Sequence, residues 1–404
     1  MGLSAGWLEA PVECGAAAGF GLYLHVPFCH HRCGYCDFAT AAIGGVDPAE
    51  VEVLLDRYLA ALRTDLVRQV SPGFWPALTS VFIGGGTPTL LGGARLAALL
   101  DTVRAHLEVA DDVEVTVEAN PETVGPDLLA ALSAAGVTRL SMGAQSLVPQ
   151  VLTTLERGHG PDRPAQAVAE ARAAGIAEVS LDLIYGTPGE RDQDWLATLA
   201  GVATLPVDHL SAYALTLHAN TPFGREVAAG RMPAPDDDVQ RERFEAAREV
   251  LGAAGFEAYE VSNFARATRR VGANGAPAPA RSRHNLLYWR HGDYLGVGVG
   301  AHGHHAGRRW WSTRSTSAYL TAVEAGASPV TGEEHLDVSE RALERLLLGL
   351  RVREGLHPGD LPPIDPLALE DAVAAGLVEI ACGRLRCTRD GWFLLDEAVE
   401  RLTA

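Results

Sequence analysis

The sequence contains no lysine. Without one, the chain forms no Schiff base through its own side chains and carries no P-loop lysine, which removes two large classes of chemistry. All 33 basic side chains are arginine, set against 51 Asp and Glu, and the formal net charge is −18. A chain this acidic repels nucleic acid and anionic lipid, so no nucleic-acid partner is expected. No stretch approaches the ~20 apolar residues of a membrane span, which excludes a transmembrane helix and leaves peripheral membrane contact open. Residues Met1–Gly19 lack a basic start followed by an apolar run, so no secretory signal is expected there. Cysteine is sparse too, at six residues, too few and too unevenly placed for a disulfide framework. Three of the six are clustered, whereas Cys14, Cys382 and Cys387 are scattered. Clustered thiols need a reducing compartment, and a cytoplasmic protein is expected.

What is present is ample apolar content, 47% of 404 residues. That suits a barrel of roughly 250 residues with a small appended domain. From Gly21 onward short apolar runs alternate with amphipathic helical stretches. Strands are expected at Leu22–Val26, Ser80–Ile83, Val113–Glu118, Arg139–Met142, Glu178–Leu183 and His209–Tyr213. Helices fall between them; the first opens at Asp47-Pro48, a cap followed by proline at the first helical position. The alternation predicts parallel βαβ units and an α/β fold. Residues 266–283 are rich in Ala, Pro, Gly and Arg and read as a mobile insertion. From about Ser339 the pattern changes to two helices and short strands, with a hairpin expected between Leu377–Ile380 and Trp392–Leu395. The chain thus divides into an N-terminal segment (1–19), a barrel (20–264), the insertion (265–283), a Gly/His-rich segment packing on the barrel (284–335) and a small winged-helix-like α+β domain (336–404).

In parallel α/β folds, ligands sit at the C-terminal strand ends. The chemically distinctive residues fall there. Cys29, Cys33 and Cys36, spaced C-x3-C-x2-C, follow strand one, and Gly84-Gly85-Gly86-Thr87 follows strand two. Glu118 ends strand three, Gln145 lies past strand four and Asp182 closes strand five. Three thiolates are one too few to close an iron–sulfur cube, so one iron is left for another ligand. A closed zinc site is the alternative, and it would need His30 or His31 as fourth ligand from inside the cysteine loop. The glycines let backbone approach a ligand and expose N–H groups.

C-x3-C-x-Y-C after an extended segment resembles the radical S-adenosylmethionine (SAM) superfamily. The preceding Tyr-x-His-x-Pro-Phe, from Tyr23 to Phe28, resembles its coproporphyrinogen-dehydrogenase-like branch, and within it the haem chaperones. The resemblance implies a partial (β/α)6 barrel. It implies a 4Fe-4S cluster on Cys29, Cys33 and Cys36, with the amino and carboxylate groups of SAM on the open iron. It assigns Gly85, Gly86, Thr87, Glu118, Gln145, Arg157, Asp182 and Ala214 to SAM contacts, with Tyr23 and Tyr35 flanking the cluster. Within that assignment Asp182 suits ribose hydroxyls and Arg157 a carboxylate. His284-Asn285-x-x-Tyr288-Trp289 resembles a motif of the chaperones, which assigns His284, Asn285, Tyr288 and Trp289 to haem: His as iron ligand, Tyr and Trp stacked on the porphyrin. A structural strand with a buried, hydrogen-bonded histidine is the other reading. His302, His304 and His305 are further ligand candidates, or a solvated loop.

The expected function is therefore haem binding and transfer to an acceptor protein, by a monomer or a dimer. Two enzymes of the same branch are alternatives. An oxygen-independent coproporphyrinogen III dehydrogenase would carry a fourth cysteine two residues after the third, where this chain has Phe38. A radical SAM methyltransferase shares the barrel and lacks the haem-type motif.

Overall fold

The computed structural model describes residues 19–71, 73–266, 270–271 and 277–403. The N-terminal segment up to residue 18, with Cys14, and residues 267–269 and 272–276 of the insertion lie outside the described residues.

Six parallel strands lie side by side in chain order: β1 (Phe20–Val26), β2 (Leu78–Gly85), β3 (Val109–Ala119), β4 (Arg139–Gln145), β5 (Glu178–Tyr185) and β6 (His209–Ala214). Helices Pro48–Val70, Gly93–His106, Pro126–Ala134, Arg163–Ala173 and Asp192–Thr204 connect them. The first starts as the sequence predicts, with the Asp47 carboxylate accepting the Ala49 N–H and proline in the first turn. Strands enclosed on both faces read as continuous apolar runs, and in β1 Phe20, Leu22, Leu24 and Val26 are all buried. The fold is an α/β partial barrel with a small C-terminal domain.

Both edges of the barrel sheet are extended, giving twelve strands. Beyond β6, strands Asn263–Arg266 and Phe256–Ala258 add in antiparallel fashion. Beyond β1, Asp293–Val297 pairs parallel to it, with Phe20 opposite Asp293 and Leu24 opposite Val297. Antiparallel strands His302–His305, Arg308–Ser312 and Val330–His335 follow outward. The strands of the Gly/His-rich segment thus continue the barrel's own sheet. Its glycines serve close approach: a Cβ on Gly296 would sit 1.7 Å from the His302 carbonyl oxygen.

The C-terminal domain joins helices Val338–Gly349 and Pro366–Ala374 to a hairpin and two more helices. The hairpin pairs Val378–Ala381 with Arg384–Cys387, not with Trp392–Leu395. Its turn is Cys382-Gly383, both at positive φ (51° and 73°), the backbone of a two-residue hairpin. Trp392 lies instead in a helix capped by the Thr388 hydroxyl, with its ring buried in the core.

Candidate functional site

The loop after β1 carries the three cysteines. A short parallel bridge pairs Phe28–Cys29 with Ala41–Ala42, and the Cys36 N–H donates to the Cys33 carbonyl at 3.0 Å, so both ends of the loop are pinned. All three thiols are free and half-buried. The Thr87 hydroxyl donates to Cys29 Sγ at 3.7 Å and Arg157 Nη1 to Cys33 Sγ at 3.9 Å. Burial pushes the Cys29 thiol up to about 11, against the hydrogen bond from Thr87 that lowers it. Among the described residues, no three His, Cys, Asp or Glu side chains converge as ligands of a single ion. A cluster does not require that, since its cysteines bind different irons.

The thiols open into a cavity of about 440 Å³ at the C-terminal ends of the strands. Tyr35, Gly85, Gly86 and Thr87 line it, as do Glu118, Gln145, Arg157, Asp182 and Ala214. The structure thus brings together every residue assigned to SAM except Tyr23. Tyr23 borders an adjoining cavity with Gly85 and Glu118; its hydroxyl donates to His25 Nδ1 at 2.9 Å, while the His25 Nε2–H donates to the Ala39 carbonyl.

The glycine run acts differently from expectation. Its N–H groups are occupied within the fold: Gly85 N–H on the Glu118 carboxylate (2.9 Å), Gly86 N–H on Val26 O (2.8 Å) and Thr87 N–H on Phe28 O (2.7 Å). What the glycines supply is room. Gly85 has φ +117°, and a Cβ there would come within 2.4 Å of the His25 ring.

Burial raises the Glu118 carboxyl to about 7, against the hydrogen bond from Gly85 that lowers it. Burial also raises the Asp182 carboxyl, onto which the Ser141 hydroxyl donates at 3.2 Å. Arg157 is not a free clamp. Its Nη2 donates to the Asn120 side-chain oxygen and to the Gly143 carbonyl (2.9 Å). Gln145 sits at φ +60°, and its buried Oε1 has no hydrogen-bond partner. Strain and an orphaned acceptor in one side chain mark a place prepared for a ligand donor. With three thiols and two carboxylates around the same cavity, the donor set fits a cluster and a zwitterionic, ribose-bearing ligand.

The His284 motif is a helix, Arg283–Trp289, rather than a strand. Buried Glu114 on β3 accepts the N–H groups of Arg283 (2.9 Å) and His284 (3.0 Å), and the Ser282 hydroxyl accepts that of Asn285 (3.2 Å). The four residues point in different directions. Asn285 lines the main cavity. The His284 ring is 1% exposed and stacks on Phe82 with ring centroids 5.1 Å apart. Its two nitrogens meet the hydroxyls of Ser80 and Tyr288, each at 2.9 Å. His284 is therefore a wall residue with no nitrogen left for iron. Tyr288 borders two neighbouring cavities, and Trp289 lies under the Arg351 guanidinium, 4.3 Å from the ring centroid, against the C-terminal domain.

Sequence reasoning missed Asn120, which lines the cavity and links Thr87 to Arg157. It also missed Ser141 and Glu114. Glu114 carried a signal, as the one acidic residue in the apolar-alternating run Val113–Val117.

Residues 23–200 match the model of the Radical SAM superfamily, and residues 336–394 that of the HemN C-terminal domain. The chain is 44% identical to the heme chaperone HemW of Mycobacterium tuberculosis over 98% of each chain. This chain belongs to the HemW family of radical SAM proteins. Another HemW, from Escherichia coli, is 40% identical over 70% of this chain and 69% of its own. The mouse radical S-adenosyl methionine domain-containing protein 1, mitochondrial, is 35% identical over 96% of this chain and 88% of its own. The fold is that of the E. coli coproporphyrinogen III oxidase HemN, with TM-score 0.79 over 95% of this chain and 90% of that one, at 22% identity. Membership of the HemW family and of the radical SAM superfamily implies a 4Fe-4S cluster and SAM. Among the described residues no helix is long and apolar enough to cross a membrane.

Proposed function

We propose that this HemW-family chain is a cytoplasmic haem chaperone: it binds a 4Fe-4S cluster, SAM and haem, and hands haem to an acceptor protein. The observation that carries the reading is the meeting of Cys29, Cys33 and Cys36 with Glu118, Gln145 and Asp182 in one cavity, with Phe38 in place of a fourth thiol. The name borne by its relatives supports the cargo.

Cys29, Cys33 and Cys36 would hold the cluster, which when bound supplies an open iron for the amino acid end of SAM and an electron source. The chain's own groups do the rest. Glu118, its carboxyl raised to about 7 by burial, would in its ionised form accept a hydrogen bond from the SAM amino group. Asp182, oriented by Ser141, accepts the ribose hydroxyls. Gln145 Oε1 gains the donor it lacks. Arg157 orients Asn120 and steadies Cys33 rather than clamping a carboxylate.

Anaerobic titration of the cluster-loaded protein with haem tests the function. Saturable binding near one haem per chain is expected. Absence of saturable binding, together with decarboxylated product from coproporphyrinogen and SAM, would replace the chaperone by the dehydrogenase.

A further inference from the structure

Haem needs a flat cleft, aromatic or aliphatic faces, cations for two propionates and, in most proteins, an axial ligand. The His284 motif supplies no free imidazole. The remaining histidines near the motif sort themselves by their partners. His25 has both nitrogens occupied and is 5% exposed. His291 faces Glu344 at 3.3 Å. His304 borders one cavity and its Nε2 has no partner, but it is only 5% exposed and its Nδ1 is 3.1 Å from Asp293; His305 meets the same carboxylate at 3.1 Å. His302 is different. Its side chain is exposed and no hydrogen bond or ion pair holds it among the described residues; its one ring contact is a stack on Trp311 at 5.9 Å.

His302 also stands where two cavities adjoin. One, of about 390 Å³, is bordered by Phe38, Glu118 and Arg314; the other, of about 470 Å³, by Trp311 and Arg309. Both are bordered by His302, Tyr288 and Tyr294, so the two chambers of this trough adjoin at those side chains. Each chamber falls in the ~300–1,000 Å³ range of small-molecule sites. Phe38 is 68% exposed at the lip and borders both the trough and the cysteine cavity. A solvent-facing phenyl ring beside a cleft is a ready stacking surface for a planar ligand.

We propose that haem lies in this trough with His302 as its axial ligand, Trp311 backing the imidazole, Phe38 against the macrocycle and Arg314 on a propionate. This assignment rests on the chaperone reading and moves the iron ligand off the helix that carries the family-type motif. Burial and the nearby Arg309 and Arg314 lower the His302 pKa, which keeps the imidazole neutral and able to bind iron at neutral pH. Arg314 is exposed but held by Asp37, whose carbonyl accepts from the guanidinium and whose carboxylate lies 3.8 Å away, so a propionate competes with Asp37 for it. The location places the cargo one residue pair, Asp37-Phe38, from the cluster-binding Cys36. The state of the cluster loop would therefore be felt directly at the haem.

The test uses the full-length, cluster-loaded protein with haemin as probe. Haem is counted as its pyridine haemochrome, because the cluster itself absorbs in the Soret region. Magnetic circular dichroism reports the axial ligand. His302→Ala is expected to weaken haem binding by about tenfold or more and to erase the imidazole signature, with exogenous imidazole restoring it. Arg314→Glu, at an exposed site, is expected to weaken binding while keeping the signature. If wild type binds haem and His302→Ala retains both affinity and signature, the trough assignment falls and the chaperone function stands. If wild type binds no haem, the functional reading itself falls.

Discussion

Replacing Glu114 with alanine should loosen the helix that joins three parts of the molecule. The carboxylate is 2% exposed and accepts two backbone N–H groups at the start of Arg283–Trp289. Removing it orphans both donors in a place that water reaches poorly. An unsatisfied buried group costs about 1–3 kcal/mol, so two imply about 2–6 kcal/mol. A seven-residue helix has no stability of its own to absorb that loss. Glu114→Gln keeps one acceptor oxygen and the side-chain shape, and should lose about 1–2 kcal/mol, part of it from the charge beside the helix N-terminus. Urea unfolding midpoints give the total, and hydrogen exchange at residues 283–289 shows where it is lost. If Glu114→Ala costs less than about 1 kcal/mol and the amides of Arg283 and His284 stay protected, the helix is held by something other than this carboxylate.

Glu118 should make SAM affinity pH-dependent. Its carboxyl is raised from 4.5 to about 7 in the folded chain, so between those values the folded state holds a proton that the unfolded state has released. That group's contribution to stability therefore falls as pH rises through the window, and the carboxylate form that accepts a hydrogen bond from the SAM amino group grows in. Calorimetric affinity for SAM should rise between about pH 6 and 8 and go flat in Glu118→Gln; an unchanged slope in the variant would assign the proton elsewhere. His284→Ala should act on stability rather than on iron. It removes two hydrogen bonds and the stack on Phe82, worth about 2–4 kcal/mol. Haem bound by the folded fraction should keep its axial signature; loss of that signature without a fall in melting temperature would return the ligand role to His284.

The barrel was readable in the sequence because each of its strands is an apolar run closed by a chemically marked loop. Leu22–Val26 and Glu178–Leu183 are enclosed on both sides, and such runs need no knowledge of their neighbours to be recognised. The cysteines, Glu118, Gln145 and Asp182 were legible for a related reason: parallel topology sends all strand ends to one rim. What stayed hidden depended on partners far away in sequence. Nothing local to Asp293–Val297 says that it pairs with β1 rather than packing over it. Nothing local to Gly84–Gly86 says that Val26, Phe28 and Glu118 already take the N–H groups. Nor does the His284 motif reveal that Ser80 and Tyr288 enclose its imidazole. The hairpin was lost to a simpler error. Cys382-Gly383 is turn chemistry, and the alternation of Arg384–Cys387 lay directly behind it.

The pairing of β1 with Asp293–Val297 also sets an order of events during synthesis. The first barrel strand to leave the ribosome is the last to be enclosed, because its outer neighbour is made 273 residues later (Phe20 to Asp293). Until then one edge of β1 lies open, with the cysteine loop attached to its end. An open edge is a hazard for aggregation, and a contact this distant slows folding. It is also an opportunity: the three thiols, carried on the loop that follows β1, emerge early and stay accessible to an iron–sulfur donor for most of translation.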